Sequence, residues 1–159
     1  AAPERALAVL EQAQADAQAA GDIKRSGEIA IDRARALVAL KREDEAARLL
    51  VEARTSSADN PLAWLLSATL SRRQGKLAAA QAQIATAAHL APTDPEIGLE
   101  AGVIAVLAGN DEAARKSWQS TIAAAPDSEA AATARGYLQQ LAPQPPVPKP
   151  SVPKPLGKP

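Results

Sequence analysis

The chain contains 159 residues, of which 18 are basic, 18 are acidic and 40 are alanine. It has no cysteine and a single histidine, which excludes disulfide frameworks, thiolate zinc sites and thiol nucleophiles and leaves too few nitrogen ligands for an ordinary metal site. The balanced charge draws the chain neither to nucleic acid nor to anionic lipid, and no run of about 18 apolar residues could span a bilayer. These exclusions leave a soluble domain as the expected class. The high alanine content predicts that it is helical, because alanine is the strongest helix former.

The first predicted element is a helix from Pro3 to Ala20. Apolar residues recur within it at helical spacing, namely Leu7, Leu10, Ala13 and Ala17. Gly21 follows and can adopt the left-handed conformation that often ends a helix. We expect residues 1–26 to provide an N-terminal helix that packs on the elements after it.

Prolines divide the middle of the chain at a constant interval. Pro61 and Pro95 each follow a residue that can cap a helix, so each is predicted at a first helical position. Pro92 and Pro126 each follow an alanine-rich run, where proline marks a helix end. Both pairs are 34 residues apart, which indicates an internal repeat. The interval defines three units without gaps, 27–60, 61–94 and 95–128.

The three units resemble the tetratricopeptide repeat, a helix-turn-helix family of the same period. Its pattern has a large residue at position 4, small residues at 8, 20 and 27, glycine near 15, a bulky residue at 24 and proline at 32. The second unit matches with Trp64, Ala68, Gly75, Ala80, Ile84, Ala87 and Pro92. The third matches with Gly102, Gly109, Ala114, Trp118, Thr121 and Pro126, but has Gly98 in place of the large residue. The first matches with Ala34, Ala46, Leu50 and Ala53, but has Lys41 and Ala58 in place of glycine and proline.

The resemblance implies an all-α fold, an α-solenoid of three 34-residue helix-turn-helix repeats with N- and C-terminal capping helices. Trp64 and Trp118 are then expected to pack between the helices of their units. After Ser128, one helical stripe predicts a closing helix within 129–142 that shields the end of the stack, formed by Ala130, Ala134, Tyr137, Leu138 and Leu141.

Residues 143–159 differ sharply in composition. They hold eight of the 13 prolines, three lysines and no acidic residue, and they contain the sequence VPKP twice. We predict a disordered, polyproline-like tail and interpret it as a semi-rigid spacer. The alternative is a docking peptide for a groove that binds polyproline helices, which the spacing of Pro145 with Pro148 and of Pro150 with Pro153 permits.

No constellation of residues indicates catalysis. Gly75 and Lys76 lack the other residues of a phosphate-binding loop, and His89 is expected near the end of a helix, where it can interact with the last carbonyls. The basic residues Lys24, Arg25, Arg33 and Arg35 are interrupted by Glu28 and Asp32, so binding of nucleic acid is not expected. We therefore predict no enzyme activity, no cofactor and no metal.

The resemblance also implies a binding groove. In the family, positions 2, 5, 9, 12 and 13 of the first helix of each repeat line a concave face that holds a peptide or a partner helix. Here those positions are Glu28, Ile31, Arg35, Val38, Ala39, Leu62, Leu65, Thr69, Arg72, Arg73, Glu96, Leu99, Val103, Val106 and Leu107. The candidate partner-binding residues are Arg35, Leu62, Leu65, Thr69, Arg72, Arg73, Leu99, Val103 and Val106. The alternative is that the first helix, the closing helix or a second copy of the chain covers Leu99, Val103 and Val106.

One subtype of the family is not expected. Tetratricopeptide domains that clamp the acidic C-terminal tails of chaperones carry lysine at position 5 and asparagine at position 9 of the first helix. Position 5 is here Ile31, Leu65 and Leu99, and position 9 is Arg35, Thr69 and Val103. An apolar groove beside Arg72 and Arg73 would instead suit an amphipathic helix or an extended peptide with some negative charge.

The predicted function is a scaffold or adaptor that binds a protein or peptide partner. The alternative is a self-associating assembly module, as the soluble part of a larger membrane-anchored protein, although this segment itself does not insert into a membrane. The alanine and arginine usage and the missing cysteine favour a bacterial protein of the cytoplasm or periplasm, with a preference for the periplasm. Because the chain opens with Ala1 and has no methionine, we expect a processed product or a fragment that has lost a targeting segment.

Overall fold

The computed structural model describes residues 2–141, and these residues form eight α-helices and no strand. The helices are α1 (Ala2–Ala19), α2 (Ile23–Ala39), α3 (Glu43–Ser56), α4 (Pro61–Arg73), α5 (Leu77–Leu90), α6 (Pro95–Leu107), α7 (Asp111–Ala124) and α8 (Glu129–Gln140). Each helix packs on the next, so the predicted all-α solenoid is confirmed. The predicted tail, 143–159, lies outside the described residues.

The helix starts follow from capping. Asn60 accepts a hydrogen bond from the Leu62 N–H at 3.0 Å, and Pro61 is the first residue of α4. Asp94 likewise accepts from the N–H groups of Glu96 and Ile97 ahead of α6. Proline is tolerated at this position because its missing N–H would have no partner within the helix, so both prolines start a helix as the sequence predicts.

A three-residue turn joins the two helices of each unit. Its middle residue is left-handed, with φ of +59° at Lys41, +72° at Gly75 and +74° at Gly109. Lys41 therefore adopts the conformation that glycine provides in the other two units, which explains why the turn forms without the glycine of the family pattern. The same turn joins α1 to α2 through Gly21, with φ of +72°.

Small residues hold the helices together. Positions 8, 20 and 27 of the three units are all buried, as the resemblance implies. They are Ala34, Ala46, Ala53, Ala68, Ala80, Ala87, Gly102, Ala114 and Thr121. Because a small side chain lets two helix backbones approach closely, these nine positions set the spacing of the stack.

Helix α1 packs along α2 and is tied to α2 and α3 by polar contacts. Buried Gln14 accepts from Arg33 at 2.7 Å and donates to Glu52 of α3 at 3.0 Å. Helix α2 starts at Ile23, one turn before the predicted start of the first unit at Gly27, because Asp22 caps it by accepting from the Arg25 N–H. None of the helices within 2–141 combines the length and the apolar character that crossing a bilayer requires.

Trp64 packs on the inside of its unit, as expected, but is only half-buried. Its Nε1 donates to the Ala58 carbonyl oxygen at 2.8 Å, and the Arg54 guanidinium lies 5.5 Å from the ring centroid. Burial lowers the pKa of Arg54, and the Ser67 hydroxyl accepts a hydrogen bond from it at 2.5 Å. This group fixes α3 against α4, across the junction of the first two units.

Candidate functional site

The candidate groove follows three positions of the first helix in each unit. Positions 9, 12 and 13 are Arg35, Val38 and Ala39 in α2, Thr69, Arg72 and Arg73 in α4, and Val103, Val106 and Leu107 in α6. The same register continues into the closing helix, where these positions are Tyr137, Gln140 and Leu141. We call this set of residues the groove positions.

At the N-terminal end the groove positions are one exposed charged residue, Arg35, and two small apolar residues, half-buried Val38 and exposed Ala39. Arg35 is exposed, and its Nη1 lies 3.8 Å from the Asp32 carboxylate one turn away. Ile31, which the resemblance places on the concave face, is only 2 % exposed. It packs with Ala30, Ala53, Ala63, Leu62 and Leu66, so side chains of α3 and α4 cover it. The expectation for Ile31 is therefore wrong, and Leu62 contacts this buried cluster.

In the middle of the groove both predicted arginines are already paired. Arg72 makes two hydrogen bonds to Glu100, at 2.6 Å from Nε and 3.3 Å from Nη2. The two side chains are only 24 % and 13 % exposed. Arg73 forms an ion pair with Glu43 of α3. Much of the positive charge predicted at this surface is therefore balanced within the solenoid.

The apolar residues of the second unit serve mainly the core. Leu65 is half-buried and packs against the cluster that contains Ala68, Ile84 and Ile97. Thr69 is half-buried as well. This section of the concave face therefore leaves little free apolar surface, because Leu65 packs into the core and both arginines are paired.

The C-terminal end of the groove is an apolar pocket of about 370 Å³ between α6 and α8. We call it the C-terminal pocket, and its lining residues are Val103, Val106, Leu107, Trp118, Tyr137, Gln140 and Leu141. Six of the seven are groove positions of α6 and α8, and the seventh, Trp118, comes from α7. Leu107 is 56 % exposed and Tyr137 is 36 % exposed, so two large apolar side chains face solvent at the pocket.

Trp118 is held in a fixed orientation. Its Nε1 donates to the Leu99 carbonyl oxygen at 3.1 Å, and its ring packs where Gly102 leaves room for it. The Tyr137 ring lies 5.2 Å away, centroid to centroid, at an interplanar angle of 42°. Because Trp118 is only 3 % exposed, the exposed aromatic surface of the pocket comes from Tyr137, whose ring packs against the fixed indole.

The closing helix covers part of the third unit. Leu99, Val103 and Val106 are half-buried and pack against the cluster of Ala114, Trp118 and Ala134, the last of which belongs to α8. The alternative in which α8 covers these residues is therefore realised in part. Val103 and Val106 nevertheless line the C-terminal pocket.

Sequence reasoning missed four pocket residues: Trp118, which was expected only as a packing residue of its unit, and Tyr137, Gln140 and Leu141. Tyr137 and Leu141 were expected only as packing residues of the closing helix. The signal for Tyr137, Gln140 and Leu141 was present, because adding 34 residues to Val103, Val106 and Leu107 gives these three positions. Treating 129–142 purely as a shielding helix hid this continuation of the groove.

Comparisons with known proteins support the fold. No family model matches the chain, and no curated protein matches its sequence. Among solved structures, it resembles the Arabidopsis OM64 TPR domain at a TM-score of 0.68 and 14 % identity, covering 74 % of this chain and 98 % of that one. It also resembles the first TPR of Spaghetti (RPAP3) bound to the HSP90 peptide SRMEEVD, at a TM-score of 0.65 and 18 % identity over 72 % and 92 % of the two chains.

A third structure of this kind is YrrB, described as a TPR protein with an unusual peptide-binding site. The TM-score is 0.63 and the identity 20 %, and 84 % of each chain is covered. All three identities are low, so the likeness concerns the fold. With the 34-residue register and the buried small positions, it confirms the resemblance read from the sequence: residues 2–141 form a solenoid with the fold of the tetratricopeptide repeat.

Proposed function

We propose that the chain is a scaffold or adaptor without catalytic activity, which binds a peptide or helix of a partner protein on its concave face. The observation that carries this proposal is the C-terminal pocket, where Leu107 and Tyr137 expose apolar surface beside a fixed indole. Concave apolar surface with a few polar groups at its edge is typical of binding sites. We place the centre of binding there rather than evenly along the groove.

The comparisons support a peptide as the ligand class. One similar structure holds an HSP90 peptide and another is described as having a peptide-binding site. The chain lacks the lysine and asparagine pattern of chaperone-tail clamps, and Arg72 and Arg73 are paired internally. We therefore propose that the ligand is anchored by an apolar or aromatic side chain in the C-terminal pocket, with charge in a minor role.

A matched pair of variants tests this proposal. Val106 and Val38 are the same residue at position 12 of their units and are both half-buried, but only Val106 lines the pocket. Peptides selected from a displayed random library against the full chain should lose about tenfold or more in affinity with Val106→Glu, because the ligand would bury an unpaired carboxylate. Val38→Glu should leave the dissociation constant nearly unchanged. Titration calorimetry measures both values, and circular dichroism checks that both variants are folded.

Two results would contradict the proposed function. Equal affinity of both folded variants for the selected peptides would place binding outside the C-terminal pocket and contradict the proposal. If no peptide is enriched and the mass in sedimentation rises with concentration in the native chain but not in Val106→Glu, the self-associating alternative replaces it.

A further inference from the structure

We propose that the Pro/Lys-rich segment 143–159 of the same chain occupies the C-terminal pocket when no partner is bound. The inference rests on the proposed function in taking this pocket as a binding site. It adds that the free protein carries its own ligand, so that a partner must displace the segment. Binding would then be autoinhibited by a competing stretch of the same polypeptide.

The first argument is position. Helix α8 ends at Gln140, and both Gln140 and Leu141 line the pocket, so the segment starts within two residues of the pocket wall. Seventeen residues follow Ala142, and a polyproline chain advances about 3.1 Å per residue, which gives a reach of about 50 Å. A reversal directly after α8 therefore leaves ample chain to fill the pocket. Because the segment begins beside the pocket, docking is intramolecular, which raises the local concentration of the segment above that of a free peptide.

The second argument is the chemistry of the two surfaces. Tyr137 exposes part of its ring at the pocket, with the aliphatic side chains of Val103 and Val106 beside it, whereas the neighbouring Trp118 is only 3 % exposed and supports the Tyr137 ring from within the core. Polyproline segments dock on aromatic-lined grooves because their prolines are apolar and lose little conformational entropy on binding. The repeated VPKP sequence offers two equivalent frames in which valine and proline can contact Tyr137 and the aliphatic side chains beside it.

The third argument is charge. All 18 acidic residues lie before Pro143, together with 15 of the 18 basic residues, so residues 1–142 carry a formal charge of −3. The remaining basic residues, Lys149, Lys154 and Lys158, give the segment a charge of +3. These opposite net charges attract the segment to the solenoid as a whole, more strongly at low ionic strength, and the uncharged lining of the C-terminal pocket leaves docking there to apolar contacts.

A single spin label tests the inference in the full chain. The native sequence has no cysteine, so Ser151→Cys provides a unique attachment site between the two VPKP sequences. A nitroxide there broadens the nuclear magnetic resonance signals of amides close to it. We expect the amides of 103–107 to lose intensity relative to the reduced label, whereas those of 35–39, at the equivalent positions of the first unit, keep theirs.

Pocket variants separate docking from mere proximity along the chain. Val106→Glu in the labelled protein should restore the signals of the remaining amides in 103–107, whereas Val38→Glu should not. If Val106→Glu disturbs the fold, Leu107→Glu replaces it, because Leu107 is 56 % exposed and tolerates a charged side chain. Ala39→Glu, at the same position of the first unit and also exposed, is then the control.

A mixed sample identifies which chain supplies the segment. A nitrogen-15-labelled chain without the spin label is combined with a spin-labelled chain of natural isotope abundance, and no intensity loss is expected. Losses in this sample would show that a second copy fills the pocket and would overturn the inference. The inference would also be overturned if the amides of 103–107 lost no intensity in the labelled native chain. It would be overturned as well if their loss of intensity were the same in the pocket variants. Selected peptides that still respond to Val106→Glu would in that case leave the proposed function standing.

Discussion

Gly102 in α6 and Gly136 in α8 both occupy position 8 of the 34-residue register, but their surroundings differ. A Cβ atom added to Gly102 would overlap the indole of Trp118, whereas one added to Gly136 meets no described atom within 4 Å. The difference arises because α7 packs on α6 at this position, while within the described residues no helix follows α8. Gly102 is therefore required for packing of the third unit, and Gly136 is not.

Gly102→Ala should lower the free energy of unfolding by about 1–3 kcal/mol, because Trp118 must shift within a packed core. Gly136→Ala should raise it by about 0.5–1 kcal/mol, since alanine replaces glycine inside a helix at a position where the added Cβ meets no described atom. Urea denaturation followed by circular dichroism measures both. Equal effects of the two substitutions would mean that the indole does not pack over Gly102.

At the scale of helices, much of the fold was predictable. The 34-residue interval between prolines fixes the unit boundaries at α4 and α6, and the small residues at positions 8, 20 and 27 are all buried. These features repeat because every unit packs against its neighbours through the same positions. The burial of Ile31 and the early start of α2 were not predictable in this way, since they depend on how particular helices meet at the N-terminal end.

The repeat register is open to a direct test within α5. Ala80 is fully buried, and Ala78, in the same helix, is exposed. Ala80→Leu should lower the free energy of unfolding by about 1–3 kcal/mol, because three added heavy atoms have no space between the helices. Ala78→Leu should change it little. Thermal unfolding compares them, and an unchanged melting temperature for Ala80→Leu would show that the register is wrong.

The ion pairs of Arg72 and Arg73 could not be predicted from the sequence, because their partners belong to neighbouring units. Arg72 and Arg73 look like free groove residues when each repeat is considered alone. In the stack Arg72 reaches forward to Glu100 of the next unit, and Arg73 reaches back to Glu43 of the preceding one. Such partners lie 28 and 30 residues away in the chain, and only the relative placement of neighbouring units brings them together.

Across the whole molecule, the groove changes character from one end to the other. Its N-terminal positions include exposed Arg35, its middle holds paired arginines, and its C-terminal end is an apolar pocket with two aromatic rings. Of the predicted site residues, only Val103 and Val106 line that pocket. The carried-over positions remain a prediction of the binding face, whereas the uneven distribution of apolar surface along them depends on the packing of α8 against α6, which the sequence did not show.

The central claim is that ligands bind at the C-terminal pocket, and mapping of amide chemical shifts tests it most directly. The tightest selected peptide would be titrated into the nitrogen-15-labelled full chain. We predict that the largest shifts cluster at 103–107 and 137–141, with little change at 35–39. Largest shifts at 35–39, or on the second helices of the units such as Glu43–Ser56 and Leu77–Leu90, would contradict the account.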